Sequence, residues 1–570
     1  MIICDYIDNN VNEYLKNNSG NNILTFFKEP FKQCGDSQVF FIDDILNESD
    51  HQNIDKFVDR TIMITEEVFS KYLKINEYNL FDYLKVQAER DFAKLYKYKY
   101  AVDKLSNDRL DNYIVYFSSE INLFVWLKQD YVVKRIISNP CLQSKTQIDR
   151  IKLRFKTWIN TSRFVGYFVD KRFEDQKSMS NCIIWLASDR FLHSKLLDEL
   201  QKEFNILLLQ NTVITYSSLF AKKGIKYRLL KLHNCKHFIK ERKYVNQQYA
   251  KGLIKTAYLV GLRPQLLEIV LNINRNMIEE LLTTLLILQD NDHNSSFLFV
   301  SQTMKGIQAL GVDYFNRNNL PSIEMIHGVP SSAEVGKTTK ILVYGQRDIS
   351  FFKKHGVDES KLFITGCPSY DKLFNIQEQD KSFDFLLLIL DWIGFIPSAN
   401  SQRIIFEEVM HMLKLVQYFE REQLIIKLHP SQTQKEIEYI NNLANIAGIS
   451  TRVKVIKDID ITDLLKKAKI VYTYESSVGL EALLIGKPVI ILPRLASSEV
   501  EYGIYNGCLT PSNGKELLIS TENILRDIQR YLKNNKDNIE RTIKYFSGDT
   551  SGESYKRVVN FFRDVSRTLR

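Results

Sequence analysis

IVYTYESSVGLEALLIGKPVIILP, residues Ile470 to Pro493, contains the transition on which the fold turns. An apolar run, Ile470 to Tyr474, gives way to Glu475, Ser476, Ser477, Val478 and Gly479. Helix-forming Leu480, Glu481 and Ala482 follow, the segment stops at Gly486, and Pro488 opens a second apolar run. Strand, polar turn, helix, glycine stop and strand spell a βαβ unit. Ser476 and Ser477 stand at N-cap positions, and Gly479 allows close approach to the first turn. Free N–H groups and two hydroxyls there predict an anion site, with Glu481 placed to accept from ribose hydroxyls. The plainer reading is that the serines cap the helix and Glu481 complements its dipole.

Working outward, the same rhythm recurs. Short apolar runs at 183–187, 206–209, 297–301, 323–326, 341–344 and 362–365 alternate with amphipathic stretches. A polar, aperiodic segment at 375–383 reads as a linker. The rhythm restarts at 385–390, 424–428, 453–456, 470–474 and 489–492, with helices expected at 403–420 and 463–469. Continuous apolar runs divided by helices predict buried parallel strands. Upstream the reading is poorer. Strands are expected at 39–42 and 113–117, and helices at 66–104 and 121–135. Parallel sheets bind ligands at the carboxyl ends of their strands, so residues just after strands are the candidates for chemistry.

Three such places stand out. In IIKLHPSQ, Ile425 to Gln432, a strand ends on Lys427 and presents His429, with Pro430 ending the ladder. An imidazole there can bond a phosphate oxygen or protonate a phosphate leaving group. In IEMIHGVPSS, Ile323 to Ser332, a strand ends at His327 and Gly328. His327 is the candidate base for an acceptor hydroxyl; otherwise it only bonds its turn. In the run from Ile341 to Leu373, Gly366 precedes Cys367 and Pro368, either letting the backbone approach a donor or serving as a turn residue.

His429-Pro430 followed by Ser476-Ser477 resembles the HP and SS motif pair of bacterial GT-B sialyltransferases and polysialyltransferases. Similar pairs occur in capsule Kdo transferases and teichoic-acid glycerophosphotransferases. The stretch from Gly479 to Val489 is shared more widely, with other GT-B transferases and UDP-GlcNAc 2-epimerases. The resemblance spans about 297–493. It implies an α/β GT-B fold, two Rossmann-like doubly wound domains facing a cleft, with an extended N-terminal region. It also implies that His429, Pro430, Ser476 and Ser477 bind a nucleotide-activated donor, and Lys427, Tyr474, Glu475, Gly479, Glu481 and Gly366 are expected to contribute to the same site. His327 and His429 would be catalytic. A CMP-sugar is favoured as donor and a cell-surface glycan or glycolipid as acceptor, with capsule or lipopolysaccharide synthesis as the setting. The alternatives are a CDP-glycerol-type glycerophosphotransferase, a UDP-sugar 2-epimerase and a non-catalytic GT-B scaffold. The acidic motif carrying the base in the sialyltransferases has no copy here: Glu120, Asp189 and Asp313 lack its neighbours. A histidine base, or a retaining mechanism, fits better. No metal motif and no cofactor are expected.

Bulk composition agrees. A chain of 570 residues predicts more than one domain. The expected boundaries are 1–180 for an N-terminal region within or appended to the N-lobe, 181–375 for the acceptor-side lobe, 376–546 for the donor lobe and 547–570 for a C-terminal helix. The GT-B resemblance implies that the last crosses back to the N-lobe. The net charge of +9 is modest and dispersed, which argues against nucleic acid. The densest basic stretch, Lys222 to Lys243, is a solvated face or a docking patch for an anionic acceptor or lipid headgroups. Seven scattered cysteines suggest buried thiols of a reducing compartment. The alternate spacing of His233, Cys235 and His237 lacks a fourth ligand nearby. The longest apolar run, Phe385 to Pro397, is too short to cross a bilayer and contains Asp391. The expected location is cytoplasmic, with peripheral contact at the inner membrane face as the closest association.

Overall fold

The computed structural model describes residues 1–4, 6–18, 21–30, 33–34, 36–107, 113–118, 121–135, 182–186, 195–210, 227–229, 236–273, 275–289, 296–301, 303, 306–326, 328, 336–376, 382–390, 401–429, 432, 434–474, 476–492, 507–548 and 551–568.

Three sheets of mainly parallel strands carry the fold. The first contains β1 (Ile2–Cys4), β2 (Ile23–Thr25), β3 (Gln33–Cys34) and β4 (Ser37–Phe41). After a small hairpin of β5 (Lys74–Ile75) and β6 (Tyr78–Asn79), β7 (Tyr113–Tyr116) and β8 (Val132–Arg135) complete it. Its order is β3-β4-β2-β1-β7-β8, with only β3 antiparallel.

The second sheet holds β9 (Cys182–Trp185), β10 (Asn205–Gln210), β11 (Tyr227–Leu229), β12 (Ser296–Val300), β13 (Ser322–Met325), β14 (Lys340–Val343) and β15 (Leu362–Ile364). The third holds β16 (Phe385–Ile389), β17 (Leu424–Lys427), β18 (Val453–Ile456), β19 (Ala468–Thr473) and β20 (Val489–Ile491). Their orders are β11-β10-β9-β12-β13-β14-β15 and β18-β17-β16-β19-β20, all parallel. If the antiparallel β3 is set aside, each sheet grows from a central first strand and then reverses to the other side, which is the doubly wound order.

The eleven apolar runs from 183 to 492 each form a strand, shifted by a residue or two. The strands the sequence hid are β1, β2, β3, β5, β6, β8 and β11. Most are two or three residues long, and β11 lies in the basic stretch. Residues 121–135, expected as one helix, divide into a helix at Ile121–Leu127 and the strand β8. The helix expected over 66–104 is two, Glu48–Tyr72 and Lys85–Asn107, parted by the β5–β6 hairpin. Asn76, with φ of 53°, makes that turn. An Asn47 capping box with Asp50 starts the first of these helices.

The first and second sheets share one core. Helices Glu48–Tyr72, Lys85–Asn107, Lys236–Val260 and Arg275–Gln289 lie between them, and Phe69, Tyr249, Leu298 and Phe315 belong to the same cluster. Gly252 permits the closest approach: a Cβ there would meet the Phe69 ring at 2.6 Å. The first sheet also reaches the third through Tyr6 and Phe27, whose rings meet Tyr439 on the helix Gln434–Ile446.

Segments leaving the carboxyl ends of the second and third sheets meet along a seam. The turn Leu373–Asn375 contacts the helix Val478–Leu484, and the helices Gln346–Lys354 and Lys536–Ser547 pack together. Lys372 pairs with Asp460 across it at 3.8 Å. The final helix, Ser554–Thr568, returns to the second sheet: Phe562 stands 5.1 Å from Phe297 and 5.2 Å from Phe299, edge to face, and Arg563 binds Glu203. Two doubly wound sheets joined at their carboxyl ends, with a returning last helix, make the GT-B architecture. The first sheet is added to it.

Candidate donor site at the carboxyl end of the third sheet

Strand order sets the site. β17 and β19 flank β16, and the winding reverses between β16 and β19. Strands lie about 4.8 Å apart. The ends of β17 and β19 are therefore roughly 10 Å from each other, a span that a diphosphate or a nucleotide bridges.

Burial and two close carbonyls shape the β17 end. Lys427 is buried, and its Nζ donates to the Leu428 carbonyl at 2.8 Å. Desolvation pulls its pKa below the ordinary lysine value, Lys457 adds to the fall and Asp458 opposes it. The His429 N–H donates to Gln432 Oε1 at 2.7 Å, and the Gln432 N–H returns a bond to the His429 carbonyl at 3.0 Å. Lys457, just past β18, donates from Nζ to the Gln432 carbonyl at 2.7 Å. His429 is half-buried, and burial, then Lys427 and Lys457, hold its imidazole below the usual pKa. Two cations and an imidazole therefore converge on one turn. Gln432 is itself buried, and its Nε2 has no hydrogen-bond partner among the described residues. A buried, unpaired N–H costs about 1–3 kcal/mol, so this donor is poised for an acceptor.

At the β19 end, Ser476 Oγ accepts from the Val478 N–H at 3.3 Å, and the Ser476 carbonyl accepts from Gly479 N–H at 3.0 Å. Ser477 is the formal N-cap, yet its side chain makes no capping bond. One serine is thus spent on the helix and the other is not. The helix Val478–Leu484 has only seven residues, so its dipole is a minor contribution beside the two lysines. Gly479 is buried, and a Cβ on it would lie 3.2 Å from Thr473 Cγ2. Its smallness lets the helix sit on its own strand. Tyr474 and Glu481 are both buried at this end of the sheet.

The glycine-lysine-proline turn lies elsewhere. Gly486, with φ of 73°, closes the helix, and Lys487 donates to the Ser382 carbonyl at 2.6 Å while lying over the Phe383 ring at 4.1 Å. These residues precede β20, at the amino end of the sheet, and tie the segment entering β16.

Gly366, with φ of 74°, sits against the final helix. A Cβ there would meet Ser554 Oγ at 2.4 Å and Arg557 Nη2 at 3.0 Å. Arg557 Nε donates to the Thr365 carbonyl, and Asp371 caps the helix by accepting from the Ser554 and Tyr555 N–H groups, both at 3.0 Å. Ser554 and Arg557 occupy the space that a side chain on Gly366 would need. Asp313 accepts from the Tyr83 hydroxyl at 2.6 Å, which ties the segment after the β5–β6 hairpin to the helix Gly306–Arg317, and pairs with Arg317 on the same helix. His327, Pro430, Glu475 and Pro493 lie outside the described residues, as do Glu120, Asp189, His233 and Cys235. Gly328, beside His327, is half-buried.

Lys457 and Gln432 are the residues the motif reading left without a role. Gln432 stood in the quoted stretch, but only its buried, unpaired amide gives it one. Lys457 is brought in from the neighbouring strand by the β17–β18 pairing. Among the described residues no group of three or more His, Cys, Asp or Glu could hold a metal ion, and no helix is long and apolar enough to cross a membrane.

Residues 398–496 match the family model described as capsule polysaccharide biosynthesis protein. That stretch contains both ends of the site. No curated protein matches the chain. Among solved structures, a glycosyltransferase from Rickettsia africae is 12% identical, with a TM-score of 0.40 over 68% of this chain and 99% of the other. A UDP-GlcNAc 2-epimerase from Neisseria meningitidis, bound to UDP-GlcNAc, is also 12% identical, with a TM-score of 0.40 over 68% and 99%. The wall teichoic acid polymerase TagF is 10% identical, with a TM-score of 0.40 over 76% and 100%. Superpositions this loose fix neither donor nor acceptor for this chain.

Proposed function

We propose that the protein is a glycosyltransferase of GT-B architecture, moving a sugar from a nucleotide-activated donor, a CMP-sugar by preference, to a cell-surface glycan or glycolipid. The observation that carries this is the β17 turn, where Lys427, Lys457, His429 and the unpaired Nε2 of Gln432 converge at the reversal of a doubly wound sheet. The match to the capsule biosynthesis family over the same stretch supports it.

In this reading the donor phosphate lies between that turn and the hydroxyls of Ser476 and Ser477. Glu481 accepts from the ribose, and Pro430, Tyr474 and Glu475 line the same end. As the glycosidic bond breaks, negative charge grows on the departing phosphate. The two lysines and the Gln432 amide hold that charge without reorganising, and His429 supplies a proton. His327 is the proposed base for the acceptor hydroxyl. The pairing of His429-Pro430 with Ser476-Ser477 favours cytidine over other bases.

The test is a thermal-shift series with CMP, CDP, UDP and GDP. A ligand present at 100 times its Kd stabilises the folded state by about 2.7 kcal/mol. Cytidine nucleotides should raise Tm, and Lys457→Ala and Gln432→Ala should each reduce the rise. A protein indifferent to all four nucleotides would sink the proposal. Strong preference for UDP would overturn the cytidine assignment alone.

A further inference from the structure

Helix Lys236–Val260 buries Val245, Tyr249, Leu253 and Ala257 against its neighbours. Its opposite side is open. Lys240, Tyr244, Gln247, Lys251, Ile254 and Tyr258 are all exposed and recur at intervals of three and four, which places them in one stripe. Tyr258 is 81% exposed, Ile254 60%, Tyr244 53% and the adjoining Leu259 43%. Single exposed apolar residues are ordinary on a protein surface, but a run of them along one helix is not.

The charge on this face has one sign. Lys240, Lys243, Lys251, Lys255 and Arg263 are exposed, and the sole acid between 240 and 263, Glu241, is half-buried. The Lys255 ammonium lies 5.9 Å over the Tyr258 ring, its stem running along the apolar surface. Tyrosines with one polar tip, aliphatic residues between them and lysines on both flanks suit the boundary between lipid headgroups and acyl chains. Anionic headgroups complement the lysines. A nucleic acid would use the cations and leave Ile254 and Leu259 wet. A protein partner would have to match the row of exposed lysines along this helix.

We propose that the outer face of helix Lys236–Val260 docks the protein on an anionic lipid bilayer, with the helix lying in the plane of the headgroups. The proposal does not depend on the transferase reading, since it is tested without donor or turnover.

The experiment is flotation of the full chain with phosphatidylcholine vesicles, with and without phosphatidylglycerol. Binding is expected only to vesicles containing phosphatidylglycerol, and it should weaken with salt. Lys251→Glu/Lys255→Glu should weaken it by about fivefold or more for each lysine changed. Ile254→Ser/Tyr258→Ser should weaken it severalfold at unchanged charge. Tyr258→Trp should be quenched by brominated lipid, which reports insertion as well as attraction. All these positions are solvent-exposed, so melting temperature should stay near that of the parent and exclude misfolding. Failure to float at low salt would overturn the proposal, as would wild-type binding by both double variants. A change in self-association of the lipid-free variants would overturn it too, because the face would then be an interface between copies.

Discussion

The ring of Phe27 lies 4.6 Å from the ring of Tyr439, centroid to centroid, and this contact joins the first sheet to the third. Phe27 follows β2 at its carboxyl end, and Tyr439 is on the helix Gln434–Ile446. Tyr6 adds a second ring 5.7 Å from Tyr439, the Tyr439 hydroxyl donates to the Lys28 carbonyl, and Asn442 Nδ2 donates to the Ile7 carbonyl at 3.4 Å. Because the first sheet also shares its core with the second, it braces one GT-B lobe against the other. Tyr439→Ala should therefore cost about 3 kcal/mol, and Tyr439→Phe about 1 kcal/mol for the lost hydrogen bond. A double-mutant cycle with Phe27→Ala, read by urea denaturation, should give a coupling of about 1 kcal/mol. Additive losses would mean that the two rings do not act together.

Glu29 gives the same junction a pH dependence. It is buried, its Oε1 accepts from the Ile7 N–H at 2.7 Å, and its Oε2 has no partner among the described residues. Desolvation pushes its pKa from 4.5 up to about 7, the Ile7 bond opposing. Cys34 and Tyr439 are close enough to feel its charge. The native protein holds this proton where the unfolded chain has lost it. The contribution is full below pH 4.5 and is lost as pH rises to about 7. The loss is on the order of 2–3 kcal/mol. Glu29→Gln should flatten stability over that window in denaturant midpoints taken at several pH values. An unchanged slope would show that Glu29 is not the group responsible.

His429 is predicted to take up a proton when nucleotide binds. Burial and the two lysines hold its pKa below the ordinary imidazole value, which favours the neutral ring. A bound phosphate supplies the opposite charge and raises the pKa again. Affinity should increase as pH falls below neutrality. Calorimetry in buffers of different ionisation enthalpy should register the uptake, and His429→Gln should abolish it. Buffer-independent heats in the parent protein would mean the imidazole does not meet the phosphate.

Gly366→Ala separates a turn from a ligand site. The positive φ costs about 1 kcal/mol for a residue with a side chain, and the new Cβ collides with Ser554 Oγ at 2.4 Å. The variant should melt lower than the parent, yet keep the nucleotide-induced rise in Tm. A lost rise with unchanged melting would place Gly366 in the donor site. Asp371→Ala, which uncaps the same helix, should cost about 1 kcal/mol with the same pattern.

The second and third sheets were legible in the amino-acid sequence except for β11. Most of their strands are buried on both faces and read as continuous apolar runs, with the edge strands β15 and β18 only partly buried, and Ile470–Pro493 displays strand, turn and helix in order. The sequence also pointed to Lys427, which ends β17, and to His429, Ser476 and Ser477, just after their strands, as candidates. Tertiary structure decided what depends on partners distant in the chain. β1 and β2 are too short to show a period, and only their pairing makes a sheet of them. Gln432 and Lys457 join the candidate site because β17 and β18 are adjacent. Gly366 faces Ser554 and Arg557, and Lys487 ties the far end of the sheet, because packing assigns a side to each turn. A local pattern fixes which residues enter a strand or a helix. Which charges and cavities those elements share is set by the order in which the sheets assemble.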